Sequence, residues 1–193
     1  MHTDTNQARV AVMIAEGLEE IEGLTVVDLL FRAGIACDTV SIAPKRTVTS
    51  SHGVTIVCDR TIFDEGFSFN DYTLVVLPGG MPGTTNLGAC KPLEGELVRR
   101  VRDGLPVAAI CAAPTVLARL GLLAGRKATC YPGQTPVLEE HGAVLTEGPV
   151  VVDGCITTSR GMGTAIDFGL ELVAQIRGRA EADRIAQAIV YHA

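Results

Sequence analysis

The chain predicts an α/β fold: a doubly wound, mostly parallel sheet sandwiched by helices. Three observations predict it. Short apolar runs alternate with amphipathic stretches along the whole chain, the pattern of strands joined by covering helices. Of 193 residues, 47% are hydrophobic, enough for a substantial core, while 21 glycines and no Trp indicate tight turns and small aliphatic packing. No internal repeat, low-complexity stretch or linker interrupts the pattern, so residues 1–193 read as one domain.

The elements follow in order. Residues 9–15 form a buried strand. A helix starts near Glu19, with Ile21, Leu24, Val27 and Phe31 on one face at helical spacing, and Gly34 stops it. Glu19 and Glu20 read as solvated first-turn acids that suit the helix dipole. Residues 36–43 are a second strand. Residues 48–58 read as strand and turn, with Ser50-Ser51-His52-Gly53 as a hairpin tip. A central strand at 73–77 ends in Pro78-Gly79-Gly80. Then come a helix at 92–103, a strand at 107–110 and a short helix at 113–120. A strand at 155–159 and helices at 164–176 and 181–190 close the chain.

Composition excludes several function classes. The net charge is −6 and no basic run exists, which argues against a nucleic-acid surface. The N-terminal stretch 1–7 is polar and lacks the apolar middle of a signal peptide. The longest apolar stretch, 107–118, is broken by Pro114 and is too short to span a bilayer, which needs about 20 residues. The expectation is a cytosolic protein with no membrane contact. Six cysteines (37, 58, 90, 111, 130 and 155) show no Cys-x-x-Cys pair, and the four histidines show no metal pattern. In a reducing compartment these are free thiols. Cys37, Cys58, Cys130 and Cys155 read as core or near-core, and Cys90 as a loop residue with an exposed side chain.

Cys111 is the most informative residue. In Val107-Ala108-Ala109-Ile110-Cys111-Ala112-Ala113-Pro114 a strand-like run turns helical at the cysteine. Small neighbours leave room for a sharp strand-to-helix elbow. Such an elbow lifts the side chain from the sheet and presents it to unpaired amides, which favour a thiolate. The same run also fits a small, buried, inert cysteine.

Three segments end strands on one sheet edge, where ligands bind in such folds. They are the loop Glu16-Gly17-Leu18-Glu19-Glu20-Ile21-Glu22, the turn Pro78-Gly79-Gly80-Met81-Pro82-Gly83 and the Cys111 elbow. The double glycine is either an ordinary turn or a pair of amides aimed at a ligand. It lacks both phosphate-loop spacings, so no nucleotide or phosphate cofactor is expected. Glu22, between Ile21 and Gly23, can face inward. A buried glutamate beside a cysteine shares a proton with it: the acid stays protonated, donates to the thiolate and lowers the thiol pKa.

The four motifs Glu19-Glu20-Ile21-Glu22, Leu77-Pro78-Gly79-Gly80, Ala109-Ile110-Cys111-Ala112 and Thr158-Ser159-Arg160-Gly161-Met162-Gly163-Thr164 together resemble the ThiJ/PfpI superfamily. The resembling branch holds the human parkinsonism protein and its bacterial relatives, and the resemblance spans residues 9–178. It implies a flavodoxin-like sandwich and a homodimer. It makes Cys111 the reactive thiol and Glu22 its partner acid, with oxyanion donors at the Gly80 and Ala112 amides and Gly79 beside them. Arg32 matches a family arginine near the dimer contact, and His52 stands where another basic residue occurs. Two departures matter. The peptidase-like branch carries a histidine directly after the cysteine, and Ala112 stands there, which weakens a peptidase or amidase reading. Some relatives place a histidine before a nearby proline, where this chain has Tyr131-Pro132. Tyr131 either donates a hydrogen bond into the pocket or packs.

Two functions compete. One is a cofactor-independent glyoxalase or deglycase, in which the Cys111 thiolate attacks methylglyoxal, glyoxal or a glycated adduct and Glu22 moves protons. The other is an oxidative-stress sensor or chaperone, in which Cys111 oxidises to a sulfinate held by Glu22.

Overall fold

The computed structural model of the protein describes residues 8–191. The stretch 1–7, with His2, and residues 192 and 193, with His192, lie outside the described residues.

The chain runs β1 (Arg9–Ile14), α1 (Glu20–Arg32), β2 (Ala36–Ser41), β3 (Thr47–Thr49), β4 (Thr55–Val57), β5 (Arg60–Thr61), β6 (Leu74–Leu77), α2 (Gly83–Ala89) and α3 (Lys91–Arg102). It continues with β7 (Val107–Ile110), α4 (Pro114–Arg119), β8 (Lys127–Ala128), α5 (Thr135–Glu140), β9 (Val144–Leu145), β10 (Val150–Asp153), β11 (Ile156–Ser159), α6 (Ala165–Arg177) and α7 (Arg179–Ala188). Seven strands form one sheet in the order β10-β11-β7-β6-β1-β2-β5. All its pairs are parallel except β10 with β11. This is the helix-covered, mostly parallel sheet that the alternation predicts, in the flavodoxin-like form that the resemblance implies.

The central strands are apolar on both faces because helices cover both. In β1, Val10, Val12 and Ile14 pack toward Leu29, Leu30, Phe168 and Leu172 of α1 and α6. Ala11 and Met13, one residue out of phase, pack with Leu93, Leu97 and Leu117 of α3 and α4. The strand period of two thus feeds two separate cores.

Helix α1 is capped at both ends. The Glu19 carboxylate accepts from the Glu22 N–H at 2.7 Å, and Gly34, at φ +61°, closes the C-terminus with Ile35 N–H donating to Leu30 O at 2.9 Å. Most of the apolar face read from the sequence points outward, with Val27 half-buried against the core. Ile21, Leu24 and Phe31 are exposed at 47%, 37% and 81%, while Glu22, Gly23, Val26, Leu29 and Leu30 are buried. Two hydrophobic stripes run along this helix, and the core takes the one that includes the glutamate.

Several elements lie outside the sequence expectation: α2, α5, β5, β8, β9 and β10. They are too short or too rich in Gly and Thr for a periodic signal. Cys90 is also corrected: it joins α2 to α3 and is half-buried rather than exposed. Cys58 and Cys130 are buried, Cys37 and Cys155 half-buried, and all six cysteines are free. Among the described residues no helix is long and apolar enough to cross a membrane.

Arg100 of α3 is 1% exposed and anchors the two strands that carry the site. It donates to the carbonyls of Tyr72 at 3.1 Å, Thr73 at 2.5 Å and Pro106 at 3.0 Å, and pairs with Glu96 at 3.3 Å. Those carbonyls precede β6 and β7, so one guanidinium ties the starts of both strands. Arg100→Ala removes the donors from the Tyr72, Thr73 and Pro106 carbonyls, while Glu96 keeps Arg99. Chemical denaturation should show a loss of about 3–5 kcal/mol, since each buried acceptor left without a donor costs about 1–3 kcal/mol. A loss below about 1 kcal/mol would mean the guanidinium is dispensable.

Candidate active site

β7 delivers Cys111 to the carboxyl edge of the sheet. Its φ is +64°, a left-handed conformation that costs a side-chain-bearing residue about 1–2 kcal/mol. Hydrogen bonds hold it there. Cys111 N–H donates to Ser159 O at 3.0 Å, Tyr131 N–H donates to Cys111 O at 2.7 Å, and Ala113 N–H donates to Ile110 O at 3.0 Å. The elbow expected from small neighbours is therefore present, with α4 starting at Pro114.

Glu22 arrives from α1 and is 1% exposed. Its Oε2 accepts from the Gly79 N–H at 2.9 Å. Its Oε1 is buried, and beyond Gly79 the carboxyl faces the Cys111 thiol and the Met162 amide. Gly79 is the spacer between acid and thiol. A Cβ on it would lie 2.7 Å from both Cys111 Cβ and Glu22 Oε2. A Cβ on Gly161 would lie 3.8 Å from Cys111 Sγ, 3.8 Å from Tyr131 Cδ2 and 3.9 Å from Glu22 Oε1, so these groups surround one small space. The amides of Ala112 and Gly80 both reach the sulfur and favour its anion. The Gly79 amide, grouped with them in the sequence expectation, is occupied by Glu22.

Electrostatics correct one expectation. Burial pushes the Glu22 carboxyl up to about 7, against the opposing pull of the Cys111 thiol and the Gly79 amide. The Cys111 thiol is pushed up to about 12 rather than lowered: burial comes first, then the Glu22 charge and the hydrogen bond to it. The two groups titrate as one system. Its first proton leaves near neutrality, and the second is held far above. Between those limits the pair carries one negative charge and one mobile proton. When that proton sits on Glu22 the repulsion vanishes, and the two amides stabilise sulfur as the anion.

The pair opens into a cleft of about 700 Å³. Tyr131, 52% exposed, forms one wall, and its hydroxyl makes no hydrogen bond among the described residues. His52 stands at the rim on the β3–β4 hairpin, as the Ser50–Gly53 turn predicts, with Nδ1 3.1 Å from Glu20. Arg32 is not brought to the cleft; it pairs with Asp28 at 2.7 Å on exposed α1. Glu19 caps α1 and also lines the cleft. Arg160 and Met162 line it too, without a role assigned from sequence. Their signal was position: they follow β11 directly at the edge that collects ligands.

The histidines show no metal pattern in sequence, yet the fold brings ligand atoms of Glu19, Glu20 and His52 within 4.8 Å of one another. His52 and Glu20 are 32 residues apart, which hides the grouping. Each group already has a hydrogen-bond role at the rim, Glu19 as helix cap and Glu20 as partner of His52.

A strained cysteine elbow, a buried acid and two sulfur-facing amides at the edge of a flavodoxin-like sheet define a thiol-centred site. Comparisons agree on the family. The DJ-1/PfpI family model matches residues 8–175, and the chain belongs to that family. It is 38% identical to Protein DJ-1 homolog A of Arabidopsis thaliana, over 94% of this chain but only 46% of that longer protein. It is 35% identical to a Caenorhabditis elegans protein named glutathione-independent glyoxalase DJR-1.2, over 84% of this chain and 85% of that one. The solved structure of oxidized Toxoplasma gondii DJ-1 superposes with a TM-score of 0.87 at 33% identity, covering 96% of this chain and all of that one.

The raised Glu22 carboxyl has a consequence for stability. Unfolded, a glutamate ionises near 4.3. Between there and about 7 the folded state keeps a proton that the unfolded state loses, so stability falls as pH rises. The penalty is complete above about 7 and amounts to about 3 kcal/mol. Glu22→Gln should therefore melt about 10 °C above wild type at pH 8, with the gap closing toward pH 4.5. A gap independent of pH in thermal melts would contradict the assigned titration.

Proposed function

We propose that the protein is a cofactor-independent glyoxalase-type enzyme that converts α-oxoaldehydes such as methylglyoxal to α-hydroxy acids. The observation that carries this reading is the placement of the buried carboxyl: Glu22 Oε2 is fixed on the Gly79 amide, and the same carboxyl interacts with the Cys111 thiol. A proton carrier held against a nucleophile is what an intramolecular hydride-equivalent shift needs. The printed name of the Caenorhabditis elegans relative supports the same chemistry.

The sequence of steps balances. The Cys111 thiolate attacks the aldehyde carbon and forms a C–S bond. The carbonyl pair moves onto oxygen, which the Gly80 and Ala112 amides hold, and protonated Glu22 neutralises it. The Glu22 carboxylate then takes the proton from that carbon, giving an enediolate across the two former carbonyl carbons. Glu22 returns the proton to the neighbouring carbon while the hydroxyl proton passes from the first oxygen to the second, which leaves a thioester on Cys111. Water attacks the thioester, the C–S bond breaks, and thiolate and hydroxy acid separate. The aldehyde carbon is oxidised by two electrons, its neighbour is reduced by two, and one water is consumed.

Methylglyoxal turnover, followed as lactate formed, tests this. Cys111→Ala should lower kcat/KM by at least about 10⁴-fold and Glu22→Gln by about 10²–10⁴-fold. Wild-type kcat/KM should rise with pH to a plateau above about 7, as the pair loses its first proton. Full activity in Cys111→Ala would end the reading.

The six free cysteines suit a reducing cytosol, where we place the enzyme. We also propose that it works as a homodimer through the outer face of α1. Ile21, Leu24 and Phe31 form an exposed apolar row there that the core does not use. Sedimentation should show a dimer that Phe31→Glu converts to monomer; a wild-type monomer at micromolar concentration would refute it.

A further inference from the structure

The motif Ser159-Arg160-Gly161 is only partly used by the site described above. Gly161 supplies space beside the sulfur, but Arg160 has no structural role. Its guanidinium makes no hydrogen bond or ion pair among the described residues, and the residue is exposed. Most other arginines of this chain are tied to an acid or a carbonyl, Arg9 to Asp38, Arg99 to Glu96 and Arg184 to Glu181 among them. Arg160 is also the one Arg or Lys that lines the Cys111 cleft among the described residues, in a chain of net charge −6.

A second cleft of about 370 Å³ adjoins the first. Arg160 and Pro132 line both, so the two spaces meet across these residues. The Arg160 charge opposes the upward shift that burial imposes on the Cys130 thiol, so the guanidinium lies within electrostatic reach of a residue of the second cleft. That cleft carries hydroxyl-bearing Thr135 and Thr146, and one acid, Glu147. A substrate the size of methylglyoxal fills only the space around Cys111. The two adjoining clefts, with a free cation on the residue they share, fit a longer molecule whose far end is negative.

We propose that Arg160 selects α-oxoaldehydes that carry a carboxylate tail, with the dicarbonyl at Cys111 and the carboxylate on the guanidinium where the clefts meet. This deepens the dicarbonyl reading and rests on it. An Arg guanidinium binds a carboxylate through two parallel hydrogen bonds, which a neutral substrate cannot make. Glu19, Glu22 and Glu147 repel an anion placed elsewhere in the two clefts, so the tail is confined to Arg160.

The test compares methylglyoxal with 4,5-dioxopentanoate, which is methylglyoxal bearing a carboxymethyl group on its methyl carbon. Wild type should show kcat/KM about tenfold higher for the anionic substrate, the gain residing in KM. Arg160→Met should raise KM for that substrate about tenfold, leave its kcat within about twofold and leave methylglyoxal kinetics unchanged. Glu147→Gln should lower KM for the anionic substrate only. Equal kcat/KM for the two substrates in wild type, or equal loss for both in Arg160→Met, would overturn the proposal. Calorimetric titration with levulinate, the same skeleton without an aldehyde, separates the two claims. If neither dicarbonyl is turned over but levulinate binds wild type and not Arg160→Met, the subsite stands and the dicarbonyl chemistry fails. If methylglyoxal is turned over but levulinate binds both proteins alike, or neither, the subsite fails and the chemistry stands.

Discussion

Glu22 and Cys111 meet because Gly79 has no side chain between them. The carboxylate and the cysteine Cβ both rest against the position that a Cβ on Gly79 would take, at 2.7 Å from each. Any larger residue would push the acid from the thiol or lift α1 from the end of β6. The same glycine offers its amide to Glu22 Oε2, so the contact that brings the groups together also orients the acid. The rest of the site is arranged around this spacing. The elbow turns the sulfur toward the acid, Gly80 and Ala112 aim amides at the sulfur, and Gly161 leaves the approach open.

The electrostatics follow from burial. Two groups that would each be anionic at high pH share one dry site, and each is disfavoured as a charge by desolvation and by the other. The outcome is one charge and one proton held between them. Such a pair can present a nucleophile and an acid together and exchange the roles in the next step. The cost appears as stability lost at neutral pH and as backbone strain at Cys111. Both are offset by scaffold far from the chemistry. The Ser159 carbonyl, which accepts from Cys111, and the Tyr131 amide, which donates to it, hold the elbow, and Arg100 fastens the opposite ends of β6 and β7. A strand tethered at its start and strained at its end is a rigid support, as a preorganised site requires.

The outer surface of α1 shows how one helix serves two purposes. Its amino-acid pattern contains a conventional apolar stripe through Ile21, Leu24 and Phe31, and a second stripe through Gly23, Val26 and Leu30. Helical spacing reports both equally. The core takes the second because Gly23 allows close packing and because Glu22 beside it has Gly79 to bond to. Leu18, Pro78 and Ile14 lie within 3.8 Å of a Cβ placed on Gly23, so a side chain there would separate the helix from the sheet.

What the amino-acid order determined was local. Strand–helix alternation, the hairpin tip at Ser50–Gly53, the elbow at Cys111 and the sheet edge that collects the loops all follow from periodicity and from residues suited to tight turns. Tertiary structure alone decided which α1 stripe is inside and how the thiol titrates. It also decided that His52 meets Glu20 and that Arg160 stands free between two clefts. These depend on distances between residues far apart in the chain. Periodicity constrains a residue's own element, whereas burial, charge coupling and pairing are set by whatever the other elements bring beside it.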